Sequence, residues 1–401
     1  MKKHKDWCDF DARAAALAER RNLKMARSPH AFVRGATQKF YEWLDGASGL
    51  KLPQGPAVWI CGDCHSGNLG PLANAKGRID IQIRDLDQTV VGNPVHDIIR
   101  LGLSLASAAR GSDLPGVMTA RMMEDLVDGY QTAFDDGDAR LDRPEAISTA
   151  LTNAVNRRWK HLAHDRLGDT RPGLKPGHNF WPVTDEERDG LNVLFGDEKV
   201  RRMVTGLRGR EDDAQLSMID AAYWVKGCSS LGRLRYAVLI AIDDGGQMCL
   251  IDVKEAAKAL APRYPDADMP RDNGERVVKG AWHLSPALGE RMVSARLLDK
   301  SVVLRELLPQ DLKLDLERLG EAEACRLARF LGNVVGTAHA RQMDADTRHD
   351  WHRDLLRGRS KTLDAPSWLW TSVVELMASH EGAYLEHCRR YALTAAAKEA
   401  A

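Results

Sequence analysis

The sequence predicts an α+β fold in which a mainly antiparallel sheet lies between two helical parts of the chain. Apolar residues recur at helical spacing before about residue 210 and again after about residue 310. Between these parts, short apolar runs bounded by turn signals are typical of strands. The chain has 401 residues, which at about 150 residues per domain allows two or three domains and a sizeable core.

Charge and composition limit the classes of partner. The sequence contains 57 Lys plus Arg and 57 Asp plus Glu residues, so it lacks the basic excess of a dedicated nucleic-acid or anionic-membrane binder. No apolar run approaches the roughly 18 residues of a membrane helix, and no apolar h-region follows the first lysines. The seven cysteines are sparse and odd in number, so we expect reduced thiols and a cytoplasmic protein.

The first half of the chain is predicted to be helical apart from one pair of strands. Helices are expected over residues 11–25, 29–45, 95–111, 115–133 and 144–167. Residues 57–61 and 78–84 have the pattern of two short strands with a turn between them, and we expect one hairpin-like unit. Residues 168–182 are rich in glycine, proline and charge, which is typical of a long connection.

The pattern changes after a further helical stretch. Strands are predicted over residues 216–224, 234–242, 248–253, 290–298 and 301–307. One helix near residues 272–284 interrupts them, and helices return over 321–342 and 366–391. The second half of the chain is therefore expected to supply the sheet and then to complete a helical part.

The first group of residues with a chemical signature is the loop Gly-Asp-Cys-His-Ser-Gly-Asn at residues 62–68, directly after a predicted strand. An Asp followed five residues later by an Asn suits phosphoryl transfer. The carboxylate of Asp63 would orient a hydroxyl proton, and the amide oxygen of Asn68 would reach a magnesium ion. The alternative is a glycine-rich turn in which both side chains cap backbone groups.

The second group follows the next predicted strand. Asp85 stands at the end of that strand, and Asp97 opens the helix that begins about ten residues later. A carboxylate projected beside the first loop is a suitable magnesium ligand, because magnesium prefers hard oxygen donors. The alternative is an exposed pair of acidic residues in a turn.

The third group lies far downstream. Gly227, Ser229, Ser230 and Gly232 fall between two predicted strands, where small residues allow backbone amides to approach phosphates. Lys254 ends the following strand and would reach the phosphates. Glu275, early in the next helix, would pair with Lys254 and hold it. The alternatives are an ordinary hairpin, a lysine that extends into water and an exposed helical glutamate.

Together these groups resemble the protein-kinase-like superfamily, especially the small-molecule phosphotransferases of the aminoglycoside and choline kinase type, whose catalytic loop reads Gly-Asp-x-His-x-x-Asn. The resemblance implies ATP and magnesium as cofactors and a hydroxyl-bearing acceptor. It makes Asp63 the catalytic base, with His65 bracing its loop. It further implies that Asn68 and Asp85 bind the metal and that Asp97 anchors the catalytic loop.

The order of the groups differs from that of an ordinary kinase, in which the hairpin and the lysine precede the catalytic loop. A circularly permuted, two-lobed kinase-like fold would explain this order, with Glu306 and Leu307 at a hinge that contacts the nucleotide. Residues 1–210 would then carry the catalytic loop and the metal-binding Asp within the helical lobe. Residues 211–310 would form the sheet-rich nucleotide-binding lobe, and residues 311–401 would complete the helical lobe.

The whole chain also resembles a bacterial family named domain of unknown function 2252. Its members carry a Ser-Pro-x-Ala-Phe-x-Arg-Gly segment, here residues 28–35, followed by the Gly-Asp-x-His loop and an Asp-x-Asp segment. An Asp-Val-Lys-Glu-Ala strand end and an Ala-His-Ala-Arg helix end complete the pattern. The segment makes Arg34 a candidate contact to substrate or phosphate; the alternative is an arginine whose stem covers the core.

These observations predict an ATP- and magnesium-dependent phosphotransferase acting on a hydroxyl of a small-molecule acceptor. One alternative is a nucleotide-binding regulator without catalysis, a pseudokinase, which would need Lys254 and Asp85 but not Asp63. A second is a nucleotidyl transferase that moves AMP. A third is a redox or zinc site at Cys61 and Cys64, which have Cys-x-x-Cys spacing without a second pair.

Overall fold

The computed structural model describes residues 7–47, 51–135, 141–167, 173–207, 209–228, 230–243, 247–314, 320–356 and 365–393. Within these residues the protein is a mixed α+β structure with an antiparallel sheet and a helical region. This part of the prediction is confirmed. No helix among the described residues combines the length and the apolar character needed to cross a membrane.

Three helices begin the chain: α1 (Phe10–Met25), α2 (Pro29–Gly35) and α3 (Thr37–Gly46). The Ser28 hydroxyl caps α2 by accepting a hydrogen bond from the Ala31 N–H. The expected single helix over 29–45 is broken at Ala36, whose φ of −100° and ψ of 43° are not helical. The break lets α2 and α3 approach the loop at residues 62–68 separately.

Four short strands follow, β1 (Val58–Ile60), β2 (Leu69–Ala73), β3 (Ile79–Ile83) and β4 (Val90–Gly92). The expected pairing of the two predicted strands is wrong, because β1 pairs with β4 and β3 pairs with β2. The sequence of β2, Leu-Gly-Pro-Leu-Ala, contains a glycine and a proline, which are typical of a turn, so the sequence did not predict this strand. The loops that follow β1 and β3 consequently lie side by side.

The helices of the first half surround these strands. They are α4 (Val95–Gly111), α5 (Gly116–Gln131), α6 (Glu145–Val155), α7 (Trp159–Leu167), α8 (Asp185–Phe195) and α9 (Glu198–Thr205). The expected helix over 144–167 is divided into α6 and α7. Helix α4 is buried along almost its whole length, as its nearly continuous apolar sequence requires.

The large sheet has six strands in the order β5-β6-β7-β8-β10-β9, and all neighbouring pairs are antiparallel. The strands are β5 (Phe180–Trp181), β6 (Leu216–Trp224), β7 (Arg235–Ile242), β8 (Gln247–Glu255), β9 (Met292–Leu297) and β10 (Lys300–Leu307). Strand β5 lies within the segment expected to be a connection. Helices α10 (Asn273–Leu284) and α11 (Pro286–Gly289) connect β8 to β9.

The chain ends with α12 (Glu321–Ala340), α13 (Ala345–Leu356), α14 (Ser367–His387) and a π-helical turn at Cys388–Ala392. Helix α12 packs closely on α5 through glycines on both helices. A Cβ on Gly332 would lie 2.2 Å from the carbonyl oxygen of Leu126, and one on Gly336 would lie 2.4 Å from that of Tyr130. This packing directs the C-terminal end of α12 toward β1 and the loop that follows it.

Candidate functional site

The loop at residues 62–68 is held from beneath by Asp97 of α4, which is fully buried. Its carboxylate accepts hydrogen bonds from the backbone N–H groups of Cys61, at 2.7 Å, and Gly62, at 2.9 Å. His339, at the end of α12, lies 3.2 Å from the same carboxylate through its Nε2 atom. Asp97 therefore anchors the loop between α4 and α12.

Asp63, at the start of the loop, is 8% exposed and has a fixed carboxylate. Arg100 donates from Nε to Oδ1 at 2.9 Å, and Thr37 donates from its hydroxyl to Oδ2 at 2.9 Å. Burial raises the pKa of Asp63, and the Arg100 guanidinium partly opposes this rise. Arg100 was not among the site residues expected from the sequence. Its position in the apolar α4 sequence, three residues after Asp97, nevertheless indicates a buried charge that needs an acidic partner.

His65 and Asn68 lie on the same loop. His65 is buried, its Nδ1 atom has no hydrogen-bond partner among the residues that the structure describes, and burial lowers its pKa well below the ordinary value. The imidazole is therefore neutral at physiological pH. The Asn68 amide nitrogen donates to the backbone oxygen of Asp63 at 3.0 Å. The amide oxygen of Asn68 is the atom that remains to bind a ligand.

Asp85 and Lys254 meet where the loop after β3 lies against strand β8 of the large sheet. The Lys254 ammonium lies 3.3 and 3.4 Å from the two carboxylate oxygens of Asp85 and also pairs with Asp87. Burial would raise the pKa of Asp85, but Lys254 and Arg305 outweigh burial and hold it well below its ordinary value. The structure brings together Lys254 and Asp85, which the sequence analysis expected to lie at one cleft, and it adds Asp87 as a partner that the sequence did not suggest.

The expected pair between Glu275 and Lys254 is wrong. Glu275 is exposed on the first turn of α10, whereas Lys254 pairs with Asp85 and Asp87. The next residue of α10, Arg276, is buried and donates to the backbone oxygens of Asp87 and Ala257 at 3.1 and 2.8 Å. Helix α10 thus supports the acidic segment through Arg276 and leaves Lys254 to the carboxylates.

The turn between β6 and β7 forms one wall of a cleft of about 420 Å³ that also reaches Asp63, Asn68 and Asp85. Gly227 and Ser230 line this cleft, and Lys24 of α1 donates to the Gly227 carbonyl oxygen at 2.7 Å. Gly227 and Gly232 have φ values of 102° and 103°, which favour glycine, and Gly232 does not line the cleft. Ser229 lies outside the described residues.

The two expected hinge residues occupy different environments. The Glu306 carboxylate is buried and forms a bidentate ion pair with Arg210 at 2.6 and 2.7 Å, so this side chain is not available to a nucleotide. Leu307 lines the 420 Å³ cleft at the end of β10. Only Leu307 of this pair is therefore placed to contact a ligand in the cleft.

A second, more open cleft of about 640 Å³ shares Asp63, Asn68 and Asp85 with the first. Its other walls come from α1, α3, the turn between β6 and β7 and the C-terminal turn, including Arg21, Gln38, Lys39, Arg233, Arg390 and Tyr391. Helix α2 lies between the clefts, since Arg34 lines the first and Gly35 lines the second. The carboxylates of Asp63 and Asp85 are thus reached from both clefts.

Cys61, Cys64 and Asp97 are close enough to hold a metal ion, with candidate ligand atoms within 4.8 Å of one another. Their chemistry is unfavourable for this role. Both oxygens of Asp97 already accept backbone hydrogen bonds. Hydrogen bonding to Cys64 and burial raise the pKa of Cys61 well above its ordinary value, which favours the thiol over the metal-binding thiolate.

These contacts define an α+β protein with an anchored acidic loop beside two clefts, and with a lysine of its antiparallel sheet paired to an aspartate that lines both clefts. The family model described as "Uncharacterized protein conserved in bacteria (DUF2252)" matches residues 13–390. The chain therefore belongs to this family, as its sequence motifs predict. Comparison with curated proteins and with solved structures found no match.

Proposed function

We propose that the protein is an ATP- and magnesium-dependent phosphotransferase that acts on a hydroxyl of a small-molecule acceptor. One observation carries the proposal. Lys254 of the sheet pairs with Asp85, which lies 169 residues earlier in the chain, and Asp85 lines two clefts that Asp63 and Asn68 also line. Phosphoryl transfer depends on positioning and charge stabilisation, and it needs a carboxylate, a metal site and a phosphate-binding cation in one place.

Asp63 has the surroundings of a general base. Arg100 and Thr37 fix the orientation of its carboxylate, and an ionised carboxylate offers about four acceptor positions, so two remain for an acceptor hydroxyl. Burial raises the pKa of Asp63 toward neutral pH. A general base is most effective when its pKa lies near the pH at which the enzyme works. In this proposal Asp63 receives the proton of the acceptor hydroxyl.

The donor set suits magnesium. The carboxylates of Asp85 and Asp87 and the amide oxygen of Asn68 are hard oxygen ligands of the type that magnesium prefers. Bound magnesium neutralises charge on the transferred phosphoryl group. Lys254, which is paired with Asp85, supplies the positive charge for the α and β phosphates, and the turn at Gly227 and Ser230 lines a cleft that Asp85 also lines.

The arrangement of the chain supports a circularly permuted kinase-like fold. The β6–β7 hairpin, the Lys254 strand, α10 and the strands β9 and β10 follow one another in the order of a kinase nucleotide-binding lobe. Gln342, just after α12, accepts from the Trp59 N–H at 2.8 Å and donates to the Trp59 carbonyl oxygen at 3.1 Å. A permutation requires this contact between the long helix and the strand before the catalytic loop.

The cytoplasm is the compartment we propose for this activity. All seven cysteines are free thiols, and three of them, Cys61, Cys64 and Cys249, are buried. Free thiols are the normal state in a reducing compartment.

The first experiment measures ATP binding by isothermal titration calorimetry with and without magnesium. Lys254→Met and Asp85→Asn should each weaken magnesium-dependent ATP binding at least about tenfold, because charge-assisted contacts contribute roughly 1.5–3 kcal/mol. Lys300→Met, an exposed lysine at the start of β10, is the matched control and should bind like the wild type. Equal affinity in Lys254→Met and wild type would contradict the proposed nucleotide site.

The second experiment measures the release of ADP and of pyrophosphate with a panel of hydroxyl-bearing acceptors and with water alone. Asp63→Asn should lower ADP release by about 10² to 10⁴ and retain ATP binding. Pyrophosphate release would instead favour AMP transfer. ATP binding with turnover that is equally absent from wild type and Asp63→Asn would favour a regulatory pseudokinase.

A further inference from the structure

Three arginines around the 420 Å³ cleft each have a buried Nε–H group for which the described residues offer no hydrogen-bond acceptor. They are Arg34 of α2, Arg84 after β3 and Arg166 of α7. A buried donor without an acceptor destabilises the folded protein, and the cost is larger when the group is charged. Three such groups at one cleft indicate that their acceptors arrive with a ligand.

Within the part of the chain that the structure describes, carboxylates do not balance the positive charge of the cleft. Each carboxylate that lines the cleft already forms an ion pair with a cation other than these three arginines. The pairs are Asp63 with Arg100, Asp85 with Lys254, and Asp311 with Arg291. Of the other cations of the lining, Lys226, Arg235 and Arg305 share the buried carboxylate of Asp252, and Lys24 donates to the Gly227 carbonyl oxygen.

Arg34, Arg166 and a further lining residue, Lys313, form no ion pair with a carboxylate among the described residues. Burial and then the charges of Arg34, Arg84, Arg166 and Lys24 lower the pKa of Lys313 to about 8. The like charges are therefore close enough to repel one another.

Two of these arginines pack on glycines next to the catalytic loop. A Cβ on Gly67 would lie 2.9 Å from the guanidinium carbon of Arg34, and one on Gly70 would lie 2.9 Å from Cδ of Arg84. The glycines permit the arginine side chains to lie directly against the chain that carries Asp63 and Asn68. An anion bound there is next to the reacting groups.

We propose that Arg34, Arg84, Arg166 and Lys313 form a binding site for a phosphoryl group of a substrate. The guanidinium group matches the tetrahedral oxygens of phosphate and binds them in a bidentate manner, and a dianion offsets more of the unbalanced charge than a carboxylate does. The word substrate rests on the proposed function; the anion site itself does not. The phosphoryl group belongs either to the nucleotide or to the acceptor.

Calorimetric titration with inorganic phosphate and with pyrophosphate, at constant ionic strength set by sodium chloride, tests the site. Arg34→Gln and Arg166→Gln should each weaken binding about tenfold or more. Arg326→Gln removes an exposed arginine of α12 outside the cleft and should leave binding unchanged. Thermal melts establish that each variant is folded, and Lys313→Gln replaces any variant that is not. Absence of binding to the wild type, or equal binding in all variants, would overturn the proposal.

A second titration, with the protein saturated by magnesium and the non-hydrolysable analogue AMPPNP, identifies the source of the phosphoryl group. Phosphate that still binds shows that the site serves a phosphorylated acceptor. Phosphate that AMPPNP displaces, with weaker AMPPNP binding in Arg34→Gln, shows that it serves the nucleotide.

The two proposals fail separately. Phosphate binding that depends on Arg34, in a protein that does not bind nucleotide, would refute the phosphotransferase and retain the anion site. Nucleotide binding that depends on Lys254, with no effect of the cleft variants on either ligand, would refute the anion site and retain the phosphotransferase.

Discussion

Replacing Gly62 by alanine should destabilise the protein strongly, because the structure has no room for a side chain there. Gly62 has a φ of 74°, in the left-handed region. A Cβ at this position would lie 2.2 Å from the backbone oxygen of Gln88 and 3.0 Å from the Cβ of Ala261. The nearest obstacle is backbone and not a flexible side chain, so relief requires a shift of the segment that follows Asp85.

The size of the effect follows from two contributions. The left-handed conformation costs an alanine about 1–2 kcal/mol relative to glycine, and forcing extra volume into a packed site costs roughly 1–3 kcal/mol. The free energy of unfolding should therefore fall by about 2–5 kcal/mol, as measured by urea denaturation. Gly116→Ala, where no heavy atom lies within 4 Å of the added Cβ, is the matched control.

A loss below about 1 kcal/mol in Gly62→Ala, similar to that of an ordinary surface substitution, would refute the reasoning. It would mean that the Gln88 carbonyl does not lie against the loop at residues 62–68. The contact between the loops that carry Asp63 and Asp85 would then be wrong, and the candidate site would lose its geometry.

Three further predictions concern the anchor of the loop and the cleft cations. Asp97→Ala leaves two buried backbone N–H groups without acceptors, so urea denaturation should register a loss of about 2–5 kcal/mol; a loss within about 0.5 kcal/mol would contradict this role. Gly67→Ala should displace Arg34 and weaken phosphate binding in calorimetry, whereas unchanged affinity would place Arg34 elsewhere. The Lys313 ammonium deprotonates as pH rises through about 8, so phosphate affinity should fall above that pH in wild type and much less in Lys313→Arg; identical profiles would remove Lys313 from the site.

The elements were predictable from sequence where local patterns decide them, and their pairing was not. Helix α4 and strand β6 end where their apolar periods end. The partner of β1 depends on where the short strand β4 returns in space, which no local pattern records. Strand β2 was missed because its glycine and proline are tolerated by tertiary contacts that override its low strand propensity.

The candidate site divides in the same way. Asp63, Asn68, Asp85 and Asp97 fall within one stretch of chain with a recognisable spacing, and the structure keeps them together. The partners of these residues come from distant segments. No partner was expected for the Asp63 carboxylate, and the structure supplies Arg100. Lys254 was expected to pair with Glu275, and it pairs with Asp87 instead. Such contacts depend on side-chain direction across a cleft, which spacing does not specify.

A crystal structure of the protein with manganese and AMPPNP tests the proposed nucleotide and metal site most directly, because the anomalous signal of manganese locates the metal. We predict a manganese peak at about 2–2.3 Å from the carboxylate of Asp85. Asn68 should lie beside the same peak, and the triphosphate should contact Lys254. A manganese peak at Cys61, Cys64 and Asp97, or a nucleotide bound on a surface remote from Asp63, would contradict it.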